Sequence, residues 1–232
     1  MIHQEEDYIY RNKCTDICIQ EYHTTGVWKK IFLDNAVRAG RLSDIRFAIE
    51  HGCPLEDPSI FLNLSLYSGW MDCVLYFHKD LKIPLNERST ISGACNPDIQ
   101  FLKYAIENGA TIHKEAIEVA AYNGLIENIK YLLQCGSIIT QYAFNNIFLY
   151  DNPKLDIAEL LIKNGYHLTK KDFQAMESST RYYIPFDNPF WRQLLFDTDV
   201  SQYRNLEIKK KDLLLIQRLE DEIKQLKEER IN

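Results

Sequence analysis

The chain has 232 residues, of which 46% are hydrophobic and 26% charged, a balance that suits one or two packed domains and excludes wholesale disorder. Lys and Arg number 27 against 33 Asp and Glu, for a net charge of −6, so no general basic footprint for nucleic acid is present. Only 9 Gly and 7 Pro argue against a turn-rich sandwich or barrel and for helices.

The opening MIHQEEDYIY is acidic and polar, which predicts no secretory leader and an intracellular, cytoplasmic setting. No run reaches the roughly 18 apolar residues a membrane helix needs. The six cysteines (Cys14, Cys18, Cys53, Cys73, Cys95, Cys135) are scattered, mostly inside apolar periodic segments, and are predicted to be reduced and buried. Residues 1–30 are predicted to form an N-terminal cap, with Tyr8, Ile9, Tyr10, Ile17 and Ile19 as a degenerate half-module. Cys14, Cys18 and His23 are loosely spaced like zinc ligands but lack a fourth partner, and no metal is assigned to them.

From residue 31 the sequence repeats itself. Five stretches, AVRAGRLSDIRFAIEHG, SLYSGWMDCVLYFHKDL, SGACNPDIQFLKYAIENG, AAYNGLIENIKYLLQCG and FLYDNPKLDIAELLIKNG, each show a helical apolar pattern, a turn residue and a second helical pattern. The turn residues are Gly40, Gly69, Asn96, Gly124 and Asn152, separated by 29, 27, 28 and 28. A tight turn between helices favours a left-handed residue, which predicts that conformation at the glycines and at the two asparagines that replace them. Asn96 and Asn152 are each followed by Pro, and there the turn is predicted to be one residue longer. Each second helix closes on Gly52, Gly109, Gly136 or Gly165; the second module ends in Asp80-Leu81-Lys82 and must exit differently. Four residues before the turn, Ala36, Ser65, Ser92 and Ala120 are small enough for close helix approach, whereas Phe148 needs a wider gap. A hairpin of this kind cannot bury its apolar face alone, so neighbours must stack on it.

The pattern Ala-x-x-x-Gly-x-apolar-acidic-x-apolar-x-x-apolar-apolar-x-x-Gly, clearest in Ala36–Gly52 and Gly124–Gly136, resembles the ankyrin repeat over residues 31–168. The period here is near 28, shorter than the usual 33, and the Thr-Pro-Leu-His opening is absent. The short style is similar to the ankyrin proteins encoded by large DNA viruses of amoebae. The resemblance implies an all-α fold, an ankyrin-like helix-hairpin solenoid of about five units with blunt connectors and degenerate caps. It also implies a non-enzymatic scaffold that binds a protein partner on its concave face, with no cofactor, no nucleic acid and no membrane. A substrate-recruiting adaptor for a host ubiquitin ligase is the alternative such viral proteins suggest, although no F-box-like segment is present. An unrecognised enzyme is the remote one.

Two residues before the turns stand Arg38, Tyr67, Ala94, Tyr122 and Tyr150. In a stacked array these positions form a ladder, which by the resemblance lies on the concave surface. Two roles fit: partner recognition by Arg38, Tyr67, Tyr122 and Tyr150, since Tyr carries apolar area and a hydroxyl at low entropic cost, or simple filling of the grooves between helices.

Residues 169–204 form a predicted C-terminal cap around the aromatic run Arg181 to Trp191, whose rings either plug the fifth module or dock a partner. Residues 205–232 lack Gly and Pro and are predicted to be an amphipathic helix. Ile216, Leu219, Ile223 and Leu226 are spaced 3, 4 and 3 apart, enough for a short self-associating coiled coil or for packing back on the solenoid. Nucleotide-binding, metalloprotease and nucleophile-elbow motifs are absent, so no catalytic residue is assigned. His51 is expected to face solvent in the last turn of its helix, and His78 to sit at the edge of the core.

Overall fold

A computed structural model describes residues 2–148, 154–172, 188–197 and 204–231 of the chain. These residues are helical with no β-strand among them, and no helix is long and apolar enough to cross a membrane. The chain divides into two compact units, residues 1–138 and 139–232, so the division falls inside the 31–168 span.

The first unit opens with one long helix, α1 (Ile2–Thr25), followed by four helical hairpins. These are α2 (Phe32–Arg38) with α3 (Leu42–Glu50), α4 (Pro58–Ser68) with α5 (Met71–Leu75), α6 (Glu87–Cys95) with α7 (Ile99–Glu107), and α8 (Glu115–Asn123) with α9 (Ile126–Gln134). The helices α1, α2, α4, α6 and α8 pack one against the next, and each hairpin's second helix packs on its own first helix. Phe32, Ile45, Leu62, Phe77, Leu102 and Ile129 are fully buried between them. The cap departs from its predicted pattern. α1 turns Thr15 and Cys18 inward, while Tyr8, Ile9, Tyr10 and Ile17 are exposed.

Close approach within each hairpin depends on one small residue. Ala36, Ser65 and Ala120 are fully buried, and each gives its carbonyl to the N–H five residues on (Arg41, Trp70, Leu125), which closes the helix behind a left-handed glycine. In the third hairpin this place belongs to Gly93, not Ser92. A Cβ on Gly93 would lie 2.8 Å from the Leu102 Cα and 2.9 Å from its nitrogen, so only glycine lets α6 meet α7 here.

That shift changes the register of the third module. Its turn is one residue longer, as expected: residues 96–98 separate α6 from α7, against 69–70 and 124–125 in the second and fourth hairpins. Asn96 is extended (φ −80°, ψ 131°) because the proline that follows disfavours helical angles before it. Its side chain does the turning: Oδ1 accepts from the Asp98 N–H at 2.9 Å. Asn152-Pro153 lies outside the described residues.

The second helices end as expected where glycine is available, at Gly52, Gly109, Gly136 and Gly165, all with positive φ. In the second hairpin α5 widens into a π-helical turn, Tyr76–Asp80, which absorbs one extra residue. Lys82 then takes the left-handed place (φ 58°). His78 Nδ1 bonds the Ile83 carbonyl at 3.0 Å, tying down that exit.

In the second unit α10 (Gln141–Asn145) runs into a 3-10 turn, Asn146–Phe148, and α11 (Leu155–Lys163) follows. The Phe148 side chain lies outside the described residues. Two further helices, α12 (Pro189–Asp197) and α13 (Arg204–Ile231), pack on each other. Trp191 is 1% exposed, and the Lys163 ammonium stands over the Phe190 ring at 5.3 Å.

Candidate functional site

Every helix ends in carbonyls that its own backbone cannot satisfy, and at the turn edge of the first unit the neighbouring hairpin supplies the donors. Trp70, directly after Gly69, donates its indole N–H to the Arg38 carbonyl at 2.9 Å. The Asn96 amide donates to the carbonyls of Leu66 and Tyr67 at 3.0 and 3.2 Å. Buried Asn128 donates to Ala94 and Asn96 at 3.1 and 2.8 Å. Arg41 reaches the Asn12 carbonyl at 3.2 Å and pairs with Asp16 and Asp44. From the second hairpin on, each thus finishes the end of the one before it, while the first is tied by Arg41 to the middle of α1. Buried polar groups satisfied this completely fix relative placement, since a slip would strand several of them.

Trp70 also explains the first turn glycine. A Cβ on Gly40 would fall 2.4 Å from the indole, so the ring lies flat on the turn. Its placement shapes a groove of about 550 Å³ whose walls include Asp7, Tyr8, Arg38, Tyr67, Trp70 and Asp98, with Asn96 and Phe101 among the others. The Tyr8 and Trp70 ring centres are 6.2 Å apart, tilted by 36°.

Two of the ladder residues meet here. Arg38 and Tyr67 share this groove, and Tyr67 is 53% exposed. Tyr122 is 41% exposed but does not line it. Ala94 is fully buried, a correction to its assigned ladder position. With the register set by Gly93, the equivalent place is Cys95, half-buried on the groove wall. Tyr150 lies outside the described residues. Sequence reasoning missed Asp7, Tyr8, Trp70 and Asp98 in the groove. Trp70 carried a signal, a large ring immediately after a turn glycine, where Leu125 stands in the fourth hairpin. Tyr8 carried none, because its helix has no counterpart among the modules.

The chemistry available is recognition by rings and carboxylates. Burial pushes the Cys95 thiol above its ordinary range, which keeps it protonated and a poor nucleophile. The groove's cation is already engaged: Arg38 Nε holds Asp34 at 3.0 Å.

Elsewhere, His51 ends α3 at the surface, its Nδ1 on the Phe47 carbonyl at 2.8 Å, and its own carbonyl accepts from the Trp28 indole at 3.1 Å. Cys18 is packed in the core, and among the described residues no three His, Cys, Asp or Glu side chains converge to hold a metal ion. A smaller cavity of about 280 Å³ lies at the connector edge against Trp28, Leu33, Cys53, Ile60 and Phe61. On α13, Leu213 is buried, while Ile216 and Leu219 are 46% and 48% exposed; the side chains of Ile223 and Leu226 lie outside the described residues. Comparison with protein-family models, curated proteins and solved structures finds no match to this chain.

Proposed function

We propose that this chain is a non-enzymatic interaction scaffold, an ankyrin-like helix-hairpin solenoid that binds a protein partner on the face carrying Arg38, Tyr67 and Tyr122. The observation that carries the reading is the exposure of Tyr67 and Tyr122 at matching places in α4 and α8, beside a groove with fixed walls. Large rings held half out of the core cost solvation, and Tyr concentrates at binding surfaces because it loses little entropy on contact. The side-by-side packing of α1, α2, α4, α6 and α8 supports it further, because such packing creates a broad surface in place of a deep active site.

Affinity purification with the wild-type chain, compared with Tyr67→Ala/Tyr122→Ala, tests the proposal. The double variant should lose the partner that the wild type captures while still unfolding in one cooperative transition, with a melting temperature only several degrees lower. Retention of the same partner by the variant sinks it.

A second contact through α13 is favoured by the exposure of Ile216 and Leu219 on a 28-residue helix. Self-association through that edge predicts a dimer by light scattering in the wild type and a monomer in Ile216→Asp/Leu219→Asp. Equal masses for the two proteins would remove it.

A further inference from the structure

Resting on the scaffold reading, we infer that the groove between Tyr8, Tyr67, Trp70 and Asp98 is a seat for an arginine side chain presented by the partner polypeptide. The occupant follows from charge and shape together. Within the groove Arg38 is held by Asp34 at 3.0 Å, and Asp7 is paired at 3.2 Å with Arg11, which stands outside the groove walls. Asp98 differs. One of its oxygens accepts the Gln100 N–H at 2.9 Å as the cap of α7, and among the described residues no cation pairs with the carboxylate. The wall thus carries a carboxylate whose charge is uncompensated, beside aromatic rings.

A planar guanidinium suits that combination. It lies on aromatic faces by cation–π attraction and at the same time forks onto a carboxylate, which a compact ammonium does less well. An anionic side chain would meet Asp7 and Asp98, and a purely apolar one would leave Asp98 without a counter-ion. The seat is also prepared in advance. Trp70 is anchored to the Arg38 carbonyl, and Asn96 to the carbonyls of Leu66 and Tyr67, so little ordering is left to do on binding. Tyr67 and Tyr8 remain half out of the protein, their rings open to a visitor.

The test uses the full chain labelled with nitrogen-15. Its indole N–H signals come from Trp28, Trp70 and Trp191, and Trp70→Phe identifies the one at the groove. The protein is titrated with a peptide containing a single arginine between glycines, capped at both ends, and with the same peptide carrying citrulline, which keeps the shape and removes the charge. The arginine peptide should shift the Trp70 signal saturably. The citrulline peptide should bind about tenfold more weakly, and Asp98→Asn, which retains the helix cap, should weaken the arginine peptide by a similar factor. Equal affinity of the two peptides, no effect of Asp98→Asn, or no saturable shift of the Trp70 signal overturns the inference. The two readings fail separately. Loss of partner capture in Tyr67→Ala/Tyr122→Ala without arginine preference leaves the scaffold standing and removes this seat. Arginine preference with capture undiminished does the reverse.

Discussion

The two compact units hold themselves together differently. In residues 1–138 the ends of successive hairpins are tied by side chains that cross from one module to the next: Arg41, Trp70, Asn96 and Asn128 each donate to a carbonyl 29 to 34 residues away. In residues 139–232 the described polar ties are mostly local, and two that reach further go from the Gln141 amide to the Thr169 hydroxyl at 2.8 Å and from the Lys210 ammonium to the Phe196 carbonyl at 3.0 Å. The Tyr166 hydroxyl, the Thr169 N–H and the Thr169 hydroxyl all donate to one oxygen of buried Asp172, at 3.0, 2.6 and 2.6 Å, and the Tyr166 ring stacks on Phe144 at 4.8 Å. Cross-module ties make the edge of each hairpin depend on its neighbour, so a groove formed there inherits a fixed geometry. Ties that close over a few residues stabilise one turn and shape no shared surface. This contrast accounts for a groove at the turn edge of the first unit.

Glycine substitutions test the contrast most severely. Gly93→Ala drives a methyl group into the Leu102 backbone, which no rotamer change relieves, and should cost about 3 kcal/mol in urea unfolding. Gly165→Ala in the second unit meets no atom within 4 Å and suffers only the left-handed penalty (φ +93°), about 1 kcal/mol. Equal costs would mean that the close approach of α6 and α7 is unimportant. Next come the polar ties. Asn128→Ala strands two buried carbonyls and should cost about 2 kcal/mol, with hydrogen exchange accelerated in α6 and α9. Asp172→Ala should cost about 2 kcal/mol too, with the acceleration confined to residues around 155–172 and to α10, which meets them through Gln141 on Thr169 and Phe144 on Tyr166. If Asn128→Ala loosened only α9, the distinction between crossing and local ties would be broken.

Much of this architecture was legible in the chain. The spacing of Gly40, Gly69 and Gly124 located three turns, and Gly52, Gly109, Gly136 and Gly165 located four helix ends, because left-handed backbone restricts residue choice more than anything else in a helical protein. The misreadings occur where that restriction is lifted. At Asn96 a side-chain hydrogen bond replaces the left-handed residue, so aligning Asn96 with the glycines moved the third module by one and put Ala94 where Cys95 belongs. At Lys82 an ordinary residue takes the left-handed angle, and a π-turn before it hides an insertion that the helical period cannot register. The groove was half visible. Arg38 and Tyr67 follow from module spacing, but Asp7 and Tyr8 lie on α1, which shares no pattern with the hairpins, and their arrival beside Trp70 is a product of packing alone.

Titration of the buried thiols separates the interior from the edge. Burial pushes Cys53 and Cys73 up to about 11, so the folded chain favours their neutral form. A raised thiol pKa contributes stability that is complete below the ordinary value of about 9 and is lost as pH climbs toward 11. Between those limits the wild type should lose about 2 kcal/mol more than Cys73→Ala does over the same window. At pH 8 an aromatic disulfide reagent should modify half-buried Cys135 well before Cys53 or Cys73. Early modification of Cys73 would show that the interior between α4 and α5 opens readily.

The smallest expected effects on stability belong to Tyr67→Ala and Tyr122→Ala. With the two residues 53% and 41% exposed, each substitution removes about half a ring's worth of buried surface and should cost about 1 kcal/mol. The comparison sharpens on binding. If the partner engages only the groove, Tyr122→Ala leaves capture intact and Tyr67→Ala weakens it. If it runs along α4 and α8 together, each single variant weakens capture by a few-fold and the double variant abolishes it, because contacts on one continuous surface share a single loss of translational freedom. A Tyr122→Ala chain that unfolds more easily than Tyr67→Ala would assign the Tyr122 ring to packing between first helices, and the recognition surface would then end at the groove.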